Sequence, residues 1–421
     1  MNLKQRDKKH LWHPLTQHKL HPETIAIIKA NECVLTDEDG NEYIDAIASW
    51  YTCMYGHCND YITSRVSTQM QQLDQVVFSG FTHEPAIKLS EALMEILPEN
   101  QNKIFFSDNG STAVEIGIKM ALQYHFNNEQ KRNTLIAFED GFHGDTFGAM
   151  SVSGLSVYNG PFKDFFLNVK RIPVPNGENN DTILNTLQHI VSNNKVAGFV
   201  YEPLVQGATA MKMHDIKGLN EILKFCKKHN IITVADEVMT GFGKTGKHFA
   251  SLYVETKPDI ICLSKALTGG LLPMALTTCS QKIYDAFYSD DMSKGLFHGH
   301  TYSANPLACT AALASIELLQ SDDIQNNIQT IIASHQTFGN SIKTHHKVKS
   351  IRQLGVIFAL DLNIEMERYG NLRDKLFKFF MDNGVFLRPL GNTIYIQAPY
   401  VITKNQLEKV YQVIKDALEI I

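Results

Sequence analysis

No run in this chain approaches the roughly 20 consecutive apolar residues of a membrane-spanning helix, so none is expected. Its first stretch, MNLKQRDKKHLWHPLTQ, is polar and lacks the apolar centre of a secretory leader, and the expectation is a cytoplasmic protein. Lys and Arg are not gathered into a basic tract and the net charge is -5, which argues against nucleic-acid binding. Cysteine is present seven times (Cys33, Cys53, Cys58, Cys226, Cys262, Cys279, Cys309), an odd number with no C-x-x-C pair, so neither a disulfide framework nor a structural zinc site is indicated. Cys53, His57 and Cys58 lie close together, yet without a second ligand pair they do not make a tetrahedral metal site, and no metal is expected. Repeats and low-complexity segments are lacking too, and the one weak linker signal is PVPNGENND at 173–181.

What remains is a soluble-type chain of 421 residues, 44% hydrophobic and 20% charged, long enough for roughly two to three domains and suited to small-molecule chemistry. From about Thr63 to Ser280, apolar helical faces alternate with short β-branched runs: NTLIAFED, VAGFVYEP, IITVADEV, PDIICLS and MALTTCS. That alternation predicts an α/β domain with a mostly parallel sheet. One helix is marked by Leu219, Ile222, Leu223 and Cys226 on a single face, and another by Leu407, Val410, Ile414, Ala417 and Leu418 behind a Thr403/Gln406 capping box. After Asn305 the alternation is lost, which suggests a smaller α+β domain joined by the N-terminal segment. The expected division is 1–62 as an N-terminal part of the small domain, 63–304 as the large cofactor-binding domain and 305–421 as the C-terminal small domain.

The stretch ADEVMTGFGKTGKHFA (235–250) carries two competing signals. Gly241, Gly246 and Lys247 match the frame of a phosphate-binding P-loop, but the residue after Gly-Lys is His248, where a Ser or Thr must hold magnesium. The competing reading is that the glycines only shape a tight loop. Asp236, in contrast, stands at the end of a buried-type strand, where open α/β sheets bind ligands. Twenty-nine residues on, PDIICLSKALTGG ends another apolar strand at Lys265. A lysine and an aspartate delivered into one crevice are what pyridoxal phosphate requires: the amine bonds to the cofactor aldehyde, and the carboxylate keeps the pyridine nitrogen protonated. A plain salt bridge is the alternative for these two residues.

A phosphate seat is offered by SDNGSTAVEIGIKMALQY, where Gly110 and Ser111 precede a helix expected to be capped by Thr112 and Glu115; an ordinary capped helix is the competing reading. In EDGFHGDTFGAMS, Phe142 and His143 sit in a glycine-flanked loop, and Phe142 could stack on a cofactor ring or simply fill the core.

Taken together, SDNGSTAVEIGIKMA, GFHGDTFGAMS, YEPLVQGA, ADEVMTGFGKTGKHFA, LSKALTGG and FHGHTYSANPLACTAAL resemble the fold-type I, class III aminotransferases over nearly the whole chain. HLWHPLTQ, ASWYTCMYGH and RPLGNTIYIQAPY resemble a branch of that family acting in biotin synthesis. The resemblance implies pyridoxal 5'-phosphate as cofactor and Lys265 as the residue that bonds to it and moves the proton. It implies Asp236 at the pyridinium nitrogen, Gly110, Ser111, His300 and Thr301 around the phosphate, and Phe142 with His143 at the ring. Thr301 would reach into a partner subunit's site, so a homodimer with shared active sites is implied. Trp50, Tyr51, Phe142, Glu202, Gly299 and Arg388 would contact substrate, the arginine fork holding a terminal carboxylate and the aromatic pair a methylene chain. Four positions depart from the family pattern: Phe142 replaces a tyrosine, Leu15 an aromatic residue, Lys244 an arginine, and His300 the proline common in adenosylmethionine-using members. These bear on the amino donor, S-adenosylmethionine or L-lysine, more than on the reaction. Rival expectations are another class III aminotransferase acting on ornithine, 4-aminobutyrate or a polyamine, a P-loop nucleotide-binding protein, and a non-catalytic relative of the same fold.

Overall fold

The computed structural model describes residues 2–20, 24–156, 159–366 and 370–421. By its internal contacts the chain divides into two compact units: unit 1 is Met1–Asn59, Ala333–Gln353 and Phe358–Ile421, and unit 2 is Asp60–Ile332 with Leu354–Ile357.

Unit 2 is an α/β layer structure around a seven-stranded sheet. Its spatial order is Gln101–Ser107, Ala275–Ser280, Ile260–Leu263, Ile232–Asp236, Val196–Tyr201, Thr134–Phe138, Val169–Ile172. The last five run parallel, and only Ala275–Ser280 is reversed, pairing antiparallel with both its neighbours. Every residue of the Ile260–Leu263, Ile232–Asp236, Val196–Tyr201 and Thr134–Phe138 strands is buried. Strands covered on both faces read as continuous apolar runs, and this is why they stand out in the sequence. The helix Ile216–Lys228 buries Leu219, Ile222, Leu223 and Cys226, the face that the 3.6-residue spacing marks.

Unit 1 holds a four-stranded sheet in the order Ile27–Asn31, Val34–Asp37, Glu42–Asp45, Val385–Phe386, and a three-stranded one of Val348–Leu354, Ile357–Leu362 and Thr393–Ile396. Its last helix, Lys404–Ile420, begins with the Thr403/Gln406 capping box and buries Leu407, Val410, Ile414, Ala417 and Leu418. The expected boundary at 304/305 differs from the observed division, which falls inside the helix Asp322–Ile342. The cause is the helix Pro306–Gln320, which packs on Asp60–Met70, Glu84–Ile96 and the Lys265–Thr268 turn and so stays with unit 2. Among the described residues no helix is long and apolar enough to cross a membrane.

Candidate active site

Seven functional candidates of unit 2 lie at or just after the C-terminal ends of five sheet strands that point the same way. Gly110 and Ser111 come after Gln101–Ser107, Phe142 and His143 after Thr134–Phe138, and Glu202 after Val196–Tyr201. Asp236 ends its own strand, and Lys265 comes after Ile260–Leu263. This edge is where open α/β sheets place their ligands. Asp236 pairs in register with Cys262 on the neighbouring parallel strand, so the strand ends bearing Asp236 and Lys265 lie side by side.

Asp236 is buried, and its Oδ2 lies 2.7 Å from His143 Nδ1 while its Oδ1 accepts from Val238 N at 3.1 Å. Burial alone would favour neutral imidazole, but the hydrogen bond and charge of Asp236, with Glu202 beyond it, outweigh that and raise the His143 pKa above its ordinary value. Glu202 is also buried, its two oxygens accepting from Phe142 N and Gly207 N, each at 3.0 Å. Burial pushes its carboxyl up to about 7, against the pull of His143 and those two donors. Lys265 is half-buried with φ +51°; burial lowers its pKa from the ordinary lysine value while Asp236 and Glu202 draw it back up. The cluster thus places an amine of reduced basicity within the field of two buried carboxylates, an arrangement suited to proton transfer.

The phosphate-seat candidate is the start of the helix Gly110–Asn127, whose first N–H groups have no intrahelical acceptor. Here the structure corrects one expectation: Thr112 and Glu115 form no capping box. Asn109 is the cap, accepting from Thr112 N at 3.0 Å, and Glu115 instead accepts from Gly148 N at 2.6 Å and Ala149 N at 3.2 Å. Ser111 Oγ bonds to Thr146 Oγ1 at 2.8 Å and accepts from Thr146 N at 3.0 Å. Gly144 makes that approach possible: its φ is +123°, and a Cβ there would stand 2.3 Å from Ser111 Oγ. Sequence reasoning missed Thr146, Glu115 in this role, and Ser153, whose Oγ accepts from His143 N at 2.9 Å.

The 235–250 stretch resolves against nucleotide binding. No helix follows its glycines, only the short 3-10 turn Ala250–Tyr253, so there is no helix N-terminus for a phosphate. Glu237 is fully buried and ties that turn down, accepting from Ser251 N at 2.6 Å, Ala250 N at 2.9 Å and Thr240 Oγ1 at 2.6 Å. Lys244 is fully buried with its amine donating to Gly241 O at 3.0 Å, and burial, then the charge of Lys265, holds its pKa well below the ordinary value.

Gly299, His300 and Thr301 occupy a loop of unit 2. Gly299 and Thr301 are exposed, Thr301 O accepts from Gln75 Nε2 at 2.9 Å, and His300 lies 4.0 Å from Asp108 and 3.1 Å from His298 Nε2. Phe142 is 42% exposed, so it is not a core residue.

Trp50, Tyr51 and Arg388 belong to unit 1. The Arg388 guanidinium sits 4.9 Å from the Trp50 ring centroid, a cation–π contact, and the Tyr51 ring lies 5.9 Å from that of Tyr395. Ala48, Ser49, Trp50 and Tyr51 have φ of +47°, +45°, +63° and +72°. Four successive L-residues in a left-handed turn cost roughly 1–2 kcal/mol each, so something must hold them there.

A profile of the class III aminotransferases matches residues 16–418. The chain belongs to that family. An adenosylmethionine-8-amino-7-oxononanoate aminotransferase of Synechococcus elongatus is 39% identical over 419 residues, covering 97% of this chain and 98% of the relative. One of the same name from Staphylococcus aureus is 36% identical, with 99% and 97% covered. Among solved structures, the adenosylmethionine-8-amino-7-oxononanoate aminotransferase of Methanocaldococcus jannaschii superposes with a TM-score of 0.91 at 31% identity, covering 98% of each chain.

Aminotransferases of this class use pyridoxal 5'-phosphate, and the residues present fit that group. A helix start suits the phosphate, the buried Asp236 suits a protonated ring nitrogen, and Lys265 supplies the primary amine.

Proposed function

We propose that this aminotransferase converts 8-amino-7-oxononanoate to 7,8-diaminononanoate, a step of biotin synthesis, with S-adenosylmethionine as amino donor. The observation that carries the chemistry is the placement of Lys265 and the buried Asp236 at the ends of adjacent parallel strands; the full-length likeness to relatives bearing that substrate in their names supports the specificity.

In this reading Gly110 and Ser111 hold the cofactor phosphate, Asp236 holds its ring nitrogen with His143 fixing the carboxylate from behind, and Phe142 packs on the ring. When bound, the cofactor supplies an electron sink that lets the C–H bond beside an attached amine ionise. Lys265 Nζ would anchor the cofactor and, once displaced by the donor, would hold and move the proton between the substrate's α-carbon and the cofactor. Burial holds its basicity below that of an ordinary lysine, in the direction the role demands. Glu202, Gly299, Trp50, Tyr51 and Arg388 take the substrate, the guanidinium receiving the terminal carboxylate. His300 and the exposed Thr301 serve the phosphate of a second copy, which makes the working unit a homodimer.

The donor is decided by one half-reaction. Cofactor-loaded protein is mixed with S-adenosylmethionine or, separately, with L-lysine, and loss of the cofactor's visible absorbance is followed. Conversion by S-adenosylmethionine is expected. Conversion by lysine alone would transfer the assignment to lysine-using enzymes of the same step.

A further inference from the structure

We propose that Asp45 and His57 form a positioning clamp that holds the left-handed turn Ala48–Tyr51 and so fixes the angles at which Trp50 and Tyr51 meet the acceptor. The inference rests on the reading that these two rings contact substrate.

The turn has no glycine to relieve it, and Ser49 and Trp50 adopt φ/ψ of 45°/55° and 63°/48°, the geometry of a left-handed helix. Such backbone persists only where its surroundings over-determine it. Here one carboxylate does so. Asp45 is fully buried; its Oδ1 accepts from Ile47 N at 3.1 Å, and its Oδ2 accepts from Ser49 N at 2.7 Å and Ser49 Oγ at 3.0 Å. The same Oδ2 lies 2.9 Å from His57 Nε2.

Both ends of the clamp are themselves anchored. Asp45 N donates to Cys33 O at 2.7 Å, while His57 exchanges two backbone hydrogen bonds with Glu32, at 2.7 and 3.0 Å. Glu32 and Cys33 are consecutive, so carboxylate and imidazole hang from one short piece of backbone. Gly56 allows His57 to reach it: its φ is +85°, and a Cβ there would meet Val401 Cγ2 at 2.9 Å and Glu32 Cα at 3.0 Å. Burial disfavours charge on His57, but Asp45, with the Cys53 sulfur beside it, pushes its pKa up to about 10, so the pair is ionic near neutrality. The Cys53, His57 and Cys58 cluster in the sequence is thereby explained without a metal: its histidine serves Asp45. Downstream, Tyr51 N donates to Ile47 O at 3.0 Å and Thr52 Oγ1 to Ser49 O at 2.9 Å, closing the turn. Relaxing it to right-handed backbone would re-aim both rings.

The test uses the cofactor-loaded enzyme. Asp45→Asn keeps the shape but loses the charge, and is expected to raise the acceptor KM roughly tenfold with a much smaller change in kcat. In a Trp12→Phe background, where Trp50 is the remaining tryptophan, its fluorescence maximum should move with the same substitution. Ser49→Gly, which removes the cost of positive φ, should restore part of the KM when added to Asp45→Asn. That rescue separates positioning from general loss of structure, and His57→Gln replaces Asp45→Asn should the latter not fold. Unchanged KM and emission in Asp45→Asn, with a raised KM in Trp50→Phe, would overturn the clamp and leave the functional reading standing. An unchanged acceptor KM in Trp50→Phe would instead overturn the substrate contact on which the clamp's role depends.

Discussion

The strand-end cluster of unit 2 and the left-handed turn of unit 1 present candidate site residues by opposite means. Asp236 sits in a regular, fully buried strand, and its place is fixed by sheet register with Cys262. Trp50 sits in backbone that its own residues disfavour, and its place is fixed by the hydrogen bonds of Asp45. In the first region the fold supplies geometry and burial tunes charge. In the second, one buried charge supplies the geometry. Substitutions in the two regions should therefore fail differently: the first by loss of chemistry within an intact scaffold, the second by misdirected rings.

The largest expected effect tests the first half of that contrast. Lys265→Ala should lower turnover by roughly 10³-fold or more, since it removes both the covalent anchor and the proton carrier. The cofactor should still bind through the helix start and Asp236, visible as retained absorbance after gel filtration. Near-normal turnover would sink the assignment of Lys265, and loss of cofactor together with cooperative unfolding would mean that the scaffold is not independent of the lysine.

A smaller effect follows from the two raised pKa values in the same cluster. Between its ordinary 4.5 and about 7, Glu202 keeps its proton in the folded protein while the unfolded chain loses it. Stability must then fall as pH rises across that window, by about 3 kcal/mol for this group taken alone. His143, raised above its ordinary 6.5, works in the same direction: its contribution is fully present below 6.5 and is lost as pH rises through its folded value. Urea midpoints of cofactor-stripped protein should accordingly decline from mildly acidic to neutral pH, and Glu202→Gln should flatten the decline below pH 7. A midpoint that climbs over this range in both proteins would contradict the burial argument.

How much of this could be seen in the sequence follows from the range of each interaction. The buried strands, the Ile216–Lys228 face and the Thr403/Gln406 box were legible because their signals repeat within a few residues. Asp236 and Lys265 were legible because each ends an apolar run. The partners that complete the cluster were not, since His143 lies 93 residues from Asp236 and Glu115 lies 33 from Gly148. Glu115 shows the hazard well: local spacing pairs it with Thr112, and the fold engages it at the first turn of the helix Phe147–Val152. Glu237, next to Asp236, is a tether for the Ala250–Tyr253 turn, a role that no spacing in the sequence marks. The contact division departs from the expected boundary for a related reason, because the helix Pro306–Gln320 carries no local sign of which neighbours it packs on.

The smallest effect sharpens the comparison between the units through two chemically similar caps. Asn109 in unit 2 accepts from Thr112 N at 3.0 Å, and Thr403 in unit 1 accepts from Gln406 N at 3.3 Å. Replacing either by alanine should cost about 1 kcal/mol of stability, read from the denaturant midpoint. The helix behind Asn109 opens with Gly110 and Ser111, so fraying it also disorders the proposed phosphate seat, and Asn109→Ala should weaken cofactor binding severalfold. Thr403→Ala should leave cofactor affinity unchanged, because its helix is proposed to hold only the core of unit 1. Equal cofactor affinity in both variants would remove the helix start from the site, and with it the distinction between a cap that serves folding and one that also serves a ligand.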